Sequence, residues 1–431
     1  MVFPPFSKGG LGGFYFANQF KSMEIPLYPP LEKGDNTVVS ARLLAFQILL
    51  NLEQKGSYPD RLIRGALDRH SRLDERDRAL LTELVYGVVR WRGRLDWHIG
   101  QLSRTKPEKM EPAVLILLRL ALYQVFFLSR VPAHAAVNES VEIAKSSQPP
   151  HIVKFVNGVL REAVRREESG GWAWPSPEEN PADTLAVTTS HPVWLVRKLI
   201  EEFGIEEARM FCAANNTIAP TVLRMNTLKA ASAVVTDWLK GINLVAAPSP
   251  CLPGSLRTGG VRQDLTRTPI FEQGLIQMQD EASQMVSLIL DPKPGERVLD
   301  LCSGFGIKST HIAILMENRG EVLAVDKSAW KLEELQRNAR RQGVGIVKTL
   351  AEDVMDLDAQ KTGLFDRVLL DAPCTGFGSV RRNPDIKWRR RPKDPYRMSQ
   401  LQKELLDRAS RFVKSGGVLV YATCTVFRRM L

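Results

Sequence analysis

Phe365-Asp366-Arg367-Val368-Leu369-Leu370 runs directly into Asp371-Ala372-Pro373-Cys374-Thr375-Gly376-Phe377-Gly378. Fifty residues after Cys374 the pattern returns, with Gly417-Val418-Leu419-Val420-Tyr421 leading into Ala422-Thr423-Cys424-Thr425. Both apolar, β-branched runs read as buried parallel strands. The two thiols then stand just beyond the carboxyl ends of neighbouring strands, where open α/β sheets bind ligands. Two cysteines converging on one crevice, with Asp371 ahead of them, point to thiol chemistry on a bound base.

Working outward, strands and helices alternate from Asp280. Helices are expected over 281–290, 308–317, 328–342 and 397–413, with strands over 297–301, 321–325, 346–350, 365–370 and 417–422. This is the pattern of a doubly wound sheet. Between the first strand and its helix lies Cys302-Ser303-Gly304-Phe305-Gly306-Ile307-Lys308. Its glycines permit tight turning and close approach of a ligand to backbone amides. Asp326 ends the second strand, where an acid can accept from two ribose hydroxyls, and Asp353 ends the third, beside the place of an adenine. A glycine loop with a ribose acid fits NAD as well as S-adenosylmethionine.

The cysteine pair decides between them. Making carbon 5 of cytosine nucleophilic requires a thiolate to add at carbon 6, and a free thiol of pKa ~8.5 needs local activation to do so. Asp371 is placed to bond the amino group and N3 of the base.

Residues 38–166 read as helical throughout, with Leu80, Leu81, Leu84, Val85 and Val88 at helical spacing behind a capping Asp74. Leu115–Leu128 is apolar nearly all round and marks a central buried helix. Arg61, Arg64, Arg69, Arg90, Arg92 and Arg94 together suggest contact with a phosphate backbone. Gly170, Gly171, Pro175, Pro177 and Pro181 mark a linker. Ser190 is a candidate cap for a helix running to Phe203. Strands at Thr221–Met225 and near Ile270–Met278 flank a helix at 231–239. Residues 1–36 mix Gly, Pro and aromatics without period and read as a disordered extension.

At 431 residues, two or three domains are expected. The 44% hydrophobic and 25% charged content is that of a soluble globular protein, and a net charge of +11 favours nucleic acid over membrane as partner. Five scattered cysteines without zinc spacing argue against a metal and for reduced thiols in the cytoplasm. No apolar stretch is long enough to span a bilayer.

Asp371–Gly378, followed by Arg381-Arg382-Asn383-Pro384-Asp385-Ile386-Lys387-Trp388, closely resembles motif IV of the RNA (cytosine-5) methyltransferases. Tyr421–Cys424 resembles their motif VI, and Arg224-Met225-Asn226-Thr227 and Gln279–Ser283 also look like family positions. The helical region resembles the antitermination factor NusB. The combination is similar to the bacterial 16S rRNA branch, the RsmB/Sun/Fmu type. The resemblance implies a NusB-like RNA-binding bundle over 37–168, a linker over 169–189, a small α+β segment over 190–278 and a Rossmann-like methyltransferase domain over 279–431.

It further implies that Cys424 is the nucleophile and that Cys374 assists product release. Lys308 and Asp371 would contact the cytosine. Cys302, Ser303, Gly304, Phe305, Gly306, Ile307 and Lys308, with Asp326, Asp353 and Asp371, would hold S-adenosylmethionine. By the same resemblance the substrate would be 16S rRNA, its cytosine unstacked to reach the thiol, and a monomer is expected. Arg381, Arg382, Lys387, Trp388, Arg389 and Arg390 offer phosphate partners and a stacking surface to an RNA strand.

Two departures from the family carry expectations. Ile307 stands where a glycine is usual, so it must be accommodated without positive φ. The family continues past motif VI with an acidic segment and a strand pair, whereas this sequence ends at Leu431. Its last strand is therefore expected as an unprotected edge of the domain, with stability or activity impaired. The alternative function is a non-catalytic RNA-binding remnant. A DNA cytosine methyltransferase would attack through the Pro-Cys thiol and leave Cys424 and the helical domain unexplained.

Overall fold

The computed structural model describes residues 40–252, 254–259 and 265–427, so the expected extension at 1–36 lies outside it. In chain order the helices are α1 (Ala41–Lys55), α2 (Pro59–Arg69), α3 (Glu75–Leu102), α4 (Pro112–Phe127), α5 (Ala133–Ser147), α6 (Pro150–Ser169), α7 (Pro181–Thr189), α8 (Val193–Phe203), α9 (Ile205–Asn215), α10 (Ser232–Gly241), α11 (Pro269–Glu272), α12 (Glu281–Leu290), α13 (Ile307–Leu315), α14 (Ala329–Gln342), α15 (Ala359–Thr362), α16 (Ile386–Arg389) and α17 (Asp394–Ser410). The strands are β1 (Thr221–Met225), β2 (Ala246–Pro248), β3 (Ser255–Thr258), β4 (Ile276–Met278), β5 (Arg297–Leu301), β6 (Glu321–Val325), β7 (Val347–Leu350), β8 (Phe365–Asp371) and β9 (Val413–Ala422). They form two compact units. The described residues of one are 40–217 with 377–392, and those of the other are 218–376 with 393–427.

The helical unit is built around α4, whose residues from Ala113 to Gln124 are all buried. Pro112 starts this helix where its missing N–H is of no consequence. Arg119 is buried with it because Asp96 takes two of its N–H groups at 2.6 and 2.8 Å, and Glu53 a third at 3.3 Å. Asp74 caps α3 as expected, accepting from the Asp77 amide at 2.7 Å. Gly87 leaves room for the Tyr123 ring, which lies 1.9 Å from where a Cβ would stand.

Three expectations are corrected in this unit. Much of the expected linker is α7. Ser190 does not cap α8; it closes α7 at φ 55°, and its hydroxyl accepts from the Gly93 and Arg94 amides at 2.9 and 3.3 Å. Helices α8 and α9, expected with the strands that follow, fall in the compact unit of the bundle and pack on α7 and on each other.

The second unit holds two sheets. The small one is antiparallel in the order β2-β3-β1-β4. The strand expected from Ile270 is shorter than the sequence suggests. Pro269 opens a single helical turn, Gly274 turns the chain at φ 73°, and pairing begins only at Ile276. The large sheet is parallel in the order β7-β6-β5-β8-β9, which is the Rossmann-like arrangement. β5 and β8 lie at its centre with Val298, Leu299, Leu301, Val368, Leu369 and Leu370 buried. The chain steps outward from β5 to β7 and then back across to β8, so the topological switch point falls between β5 and β8. Among the described residues β9 is an edge, and its residues are half-buried or exposed.

Candidate active site

The site is assembled at the carboxyl ends of β5, β6, β8 and β9. Asp371 and Ala422 are partners at the ends of β8 and β9, and the Ala372 amide still donates to the Ala422 carbonyl at 2.9 Å. This shared exit brings Cys374 and Cys424 together, with their sulfurs 3.0 Å apart. One residue on, the Thr375 and Thr425 hydroxyls meet at 2.9 Å. Gln402 of α17 ties both loops, donating to the Pro373 carbonyl at 2.7 Å and accepting from the Tyr421 hydroxyl at 3.0 Å. Across the switch point, the Lys308 ammonium reaches Asp371 at 2.6 Å.

The sulfurs titrate as a pair. A hydrogen bond from Cys424 pulls Cys374 down to about 7, helped by the Gly376 and Cys424 amides. That same bond, with burial and the nearby Cys374 and Asp371, pushes Cys424 up, and Lys308 partly opposes this. The first proton therefore leaves below the ordinary thiol range and the second only with difficulty. Cys302 is different: burial and the acids around it push its thiol up to about 12. Asp300 is wholly buried at the end of β5 and is pushed up to about 7, although Ser309 donates to it at 2.6 Å.

The loop after β5 has the features of a donor cradle. Cys302, Gly304 and Gly306 take positive φ (60°, 57° and 70°), and Ile307 escapes that region by opening α13. Asp326 accepts from the Gly304 and Ser328 amides at 3.0 and 2.9 Å, which folds the loop over the acid. Around Gly304 nothing lies within 4 Å of where a Cβ would stand, and the buried Ser303 hydroxyl has no partner among the described residues. Open space, an orphaned hydroxyl and an acid at the second strand fit a nucleoside-bearing group. Phe305 is half-exposed, edge-on to Trp330 at 5.2 Å. Asp353 lies three residues past β7 and accepts from the Met355 amide at 3.1 Å.

Comparison with known proteins agrees with this architecture. The profile of the 16S rRNA methyltransferase RsmB/F family matches residues 287–429, that of the NusB family residues 39–165, and that of the RsmF/B-like ferredoxin-like domain residues 191–259. The probable ribosomal RNA small subunit methyltransferase B of Bacillus subtilis is 38% identical over 90% of this chain and 86% of its own length. The chain belongs to the RsmB/F methyltransferase family. Its counterpart in Synechocystis is also 38% identical, over 90% and 86% of the two chains. The crystal structure of PH0851 superposes on the RsmB/F chain with a TM-score of 0.77 at 29% identity, covering 92% of this chain and 88% of that one.

For this RsmB/F chain the expected RNA-binding segment needs correction. Residues 377–392 are part of the helical unit. Lys387 is fully buried, and burial pushes its ammonium down to about 7. Trp388 packs on the helical core, and its indole N–H donates to the Val89 carbonyl at 2.7 Å. Its ring lies 2.7 Å from where a Cβ on Gly93 would stand. Arg389 pairs with Asp385 at 2.9 Å and donates to the Ser57 carbonyl. Arg381, Arg382 and Arg390 are half-buried. Arg90 and Arg92 turn inward too, to the Arg381 carbonyl and to Glu53. The alternation of Lys/Arg with Trp reads as a nucleic-acid surface, whereas Lys387 and Trp388 turn into the helical unit itself. Gln342 and Gln402 went unnoticed in the sequence, and Arg224 stood out only as a family position with no role attached. Their only signal is a polar side chain at a position whose periodicity is that of the core.

Proposed function

We propose that this RsmB/F-family chain methylates carbon 5 of a cytosine in 16S rRNA through a covalent bond between Cys424 and carbon 6. The observation that carries this reading is the pair of sulfurs 3.0 Å apart beside the Lys308–Asp371 ion pair. A single thiol would suffice for addition; two suit a reaction that must both add and eliminate. S-adenosylmethionine, when bound by Cys302–Lys308, Asp326 and Asp353, supplies an electrophilic methyl group. The protein's own groups do the rest. Cys424 gives its proton to the Cys374 thiolate, to which it is hydrogen-bonded, as its sulfur adds to carbon 6, and electron density moves toward carbon 5 and N3. Asp371 accepts from the exocyclic amine, and a proton relayed through it from the Lys308 ammonium reaches N3 and returns on elimination, which disperses that charge. Once carbon 5 carries the methyl, Cys374, having released its proton to solvent, takes the carbon-5 proton as thiolate. The electrons of that C–H bond restore the ring double bond and expel the Cys424 thiolate. Burial of Cys302 keeps a third sulfur out of the chemistry.

The helical unit and the net charge of +11 support RNA as the partner. No described helix is long and apolar enough to cross a membrane. We place the reaction in the cytoplasm, on a monomer.

The test is trapping on a 16S rRNA fragment carrying 5-fluorocytosine, which cannot release its carbon-5 substituent as a proton. A covalent complex formed in the presence of S-adenosylmethionine, lost in Cys424→Ala and kept in Cys374→Ala, is the expected result. Loss in Cys374→Ala alone would exchange the two roles. RNA binding without any adduct would support a binding remnant instead.

A further inference from the structure

Arg224 of β1 is only 2% exposed, and none of the chemistry above uses it. A buried guanidinium ordinarily meets a carboxylate, since an uncompensated buried ion is costly by several kcal/mol. Arg224 meets none among its described hydrogen-bond partners. Its Nη1 donates to the Gln279 amide oxygen and, at 2.9 Å, to the Ile307 carbonyl. Its Nη2 donates to the Thr310 hydroxyl at 3.3 Å and the Gln342 amide oxygen at 2.8 Å. Its Nε has no hydrogen-bond partner among the described residues. Burial accordingly pushes this arginine down to about 9. An apolar side chain would join the small sheet to the large one more cheaply, so the fork of donors calls for another explanation.

The acceptors supply it. Ile307 is the first residue of α13 and Lys308 the second. The Ile307 carbonyl receives the Thr310 hydroxyl at 3.2 Å as well as the guanidinium. Gln342 ends α14, against whose Leu335 the Gly306 turn is pressed. One planar group therefore fixes the first turn of α13 to the last turn of α14. The Gly304–Gly306 turn is joined in sequence to Ile307 and packs through Gly306 against Leu335. Asn226, two residues further along the chain, fastens the same corner by donating to the Gln342 and Gly274 carbonyls at 2.8 and 2.9 Å.

We infer that Arg224 is a positioning residue for methyl transfer: through the Ile307 carbonyl it sets the reach of Lys308 to Asp371 and the shape of the donor loop. The inference rests on the methyl-transfer reading above. Lysine does not replace it, because a single ammonium cannot serve four acceptors on three elements.

The experiment compares Arg224→Lys with Gln342→Leu, which damages the same buried network without touching α13. Thermal midpoints are expected to fall in both. Binding of S-adenosylhomocysteine, read by calorimetry, and kcat are expected to fall on the order of 10- to 100-fold in Arg224→Lys alone, the usual effect of an ångström-scale misplacement. The KM for RNA should stay within about twofold, since positioning through α13 leaves RNA contacts intact. Arg224→Met, which removes the buried charge and so the main hazard to folding, should give the same split. Equal effects of Arg224→Lys and Gln342→Leu on S-adenosylhomocysteine binding and kcat, or wild-type binding in both Arg224 variants, would overturn the inference. The unsubstituted protein is trapped on 5-fluorocytosine RNA in parallel. Failure there would count against methyl transfer itself, and the S-adenosylhomocysteine comparison would still decide whether Arg224 shapes the loop.

Discussion

Gly306→Ala tests the donor loop most directly, and its cost can be worked from two separate terms. Gly306 has φ 70°, which costs an L-residue about 1–2 kcal/mol. An added Cβ would also fall 2.1 Å from Leu335 Cγ and 2.5 Å from its Cδ1, in a helix side chain with no exposure. Overpacking of that kind costs about 1–3 kcal/mol. The sum is about 2–5 kcal/mol, or roughly 5–20 °C in Tm for a unit of this size. Gly304 is the internal control. Its φ is 57°, but nothing lies within 4 Å of its Cβ position, so Gly304→Ala should lose only about 1–2 kcal/mol. Leu335→Ala, costing about 2–5 kcal/mol alone, should cost about 1–3 kcal/mol less in the Gly306→Ala background because the clash is gone. Differential scanning calorimetry on the four variants measures all of this. If Gly306→Ala melts no lower than Gly304→Ala, the contact with Leu335 is not what fixes the loop, and the reasoning fails.

Trp388→Ala should destabilise the helical unit by about 3–5 kcal/mol, read by denaturant unfolding, while leaving the affinity of the folded protein for RNA within about twofold. A loss of about 1–3 kcal/mol in RNA affinity would show that the ring stacks on RNA. Cys424→Ala should raise the pH at which Cys374 becomes alkylatable, since Cys374 loses the donor that stabilises its thiolate; the pH profile of iodoacetamide labelling checks this. Asp300 is held up at about 7, so the native state keeps a proton that the unfolded chain releases near pH 4. Stability should therefore fall as pH rises from about 4 to 7, and Asp300→Asn should flatten that slope in urea titrations at several pH values.

The large sheet was legible because each of its strands is a short β-branched run ending at a residue with a chemical task, as with Leu370-Asp371 and Tyr421-Ala422. Helix α4 was legible because its apolar surface goes all the way round. The small sheet was legible only at β1, Thr221–Met225: β2 and β4 are three residues each, below the length at which alternation can be told from chance. The errors at Lys387 and Trp388 share one cause. Composition records which side chains a segment carries but not which way it faces, and basic residues with aromatics suit an RNA groove and an arginine-lined helical core equally well. Ser190 misleads for a similar reason, because a hydroxyl before a helix reads as its cap while its oxygen already serves two amides of α3.

The excursion of residues 377–392 has a consequence for the order in which the protein can be made. Helices α1 to α9 leave the ribosome complete at residue 217, yet the indole of Trp388 that fills the space over Gly93 arrives 171 residues later, after nearly all of the second unit's central strands. At 5–20 residues per second that is a wait of roughly 10–30 s. During it the bundle must hold together without its last wedge, or remain on a chaperone. A chain ending at residue 217 is thus expected to melt below the intact unit, and a synthetic 377–392 peptide to raise its Tm. No shift on adding the peptide would mean that the bundle is finished without it.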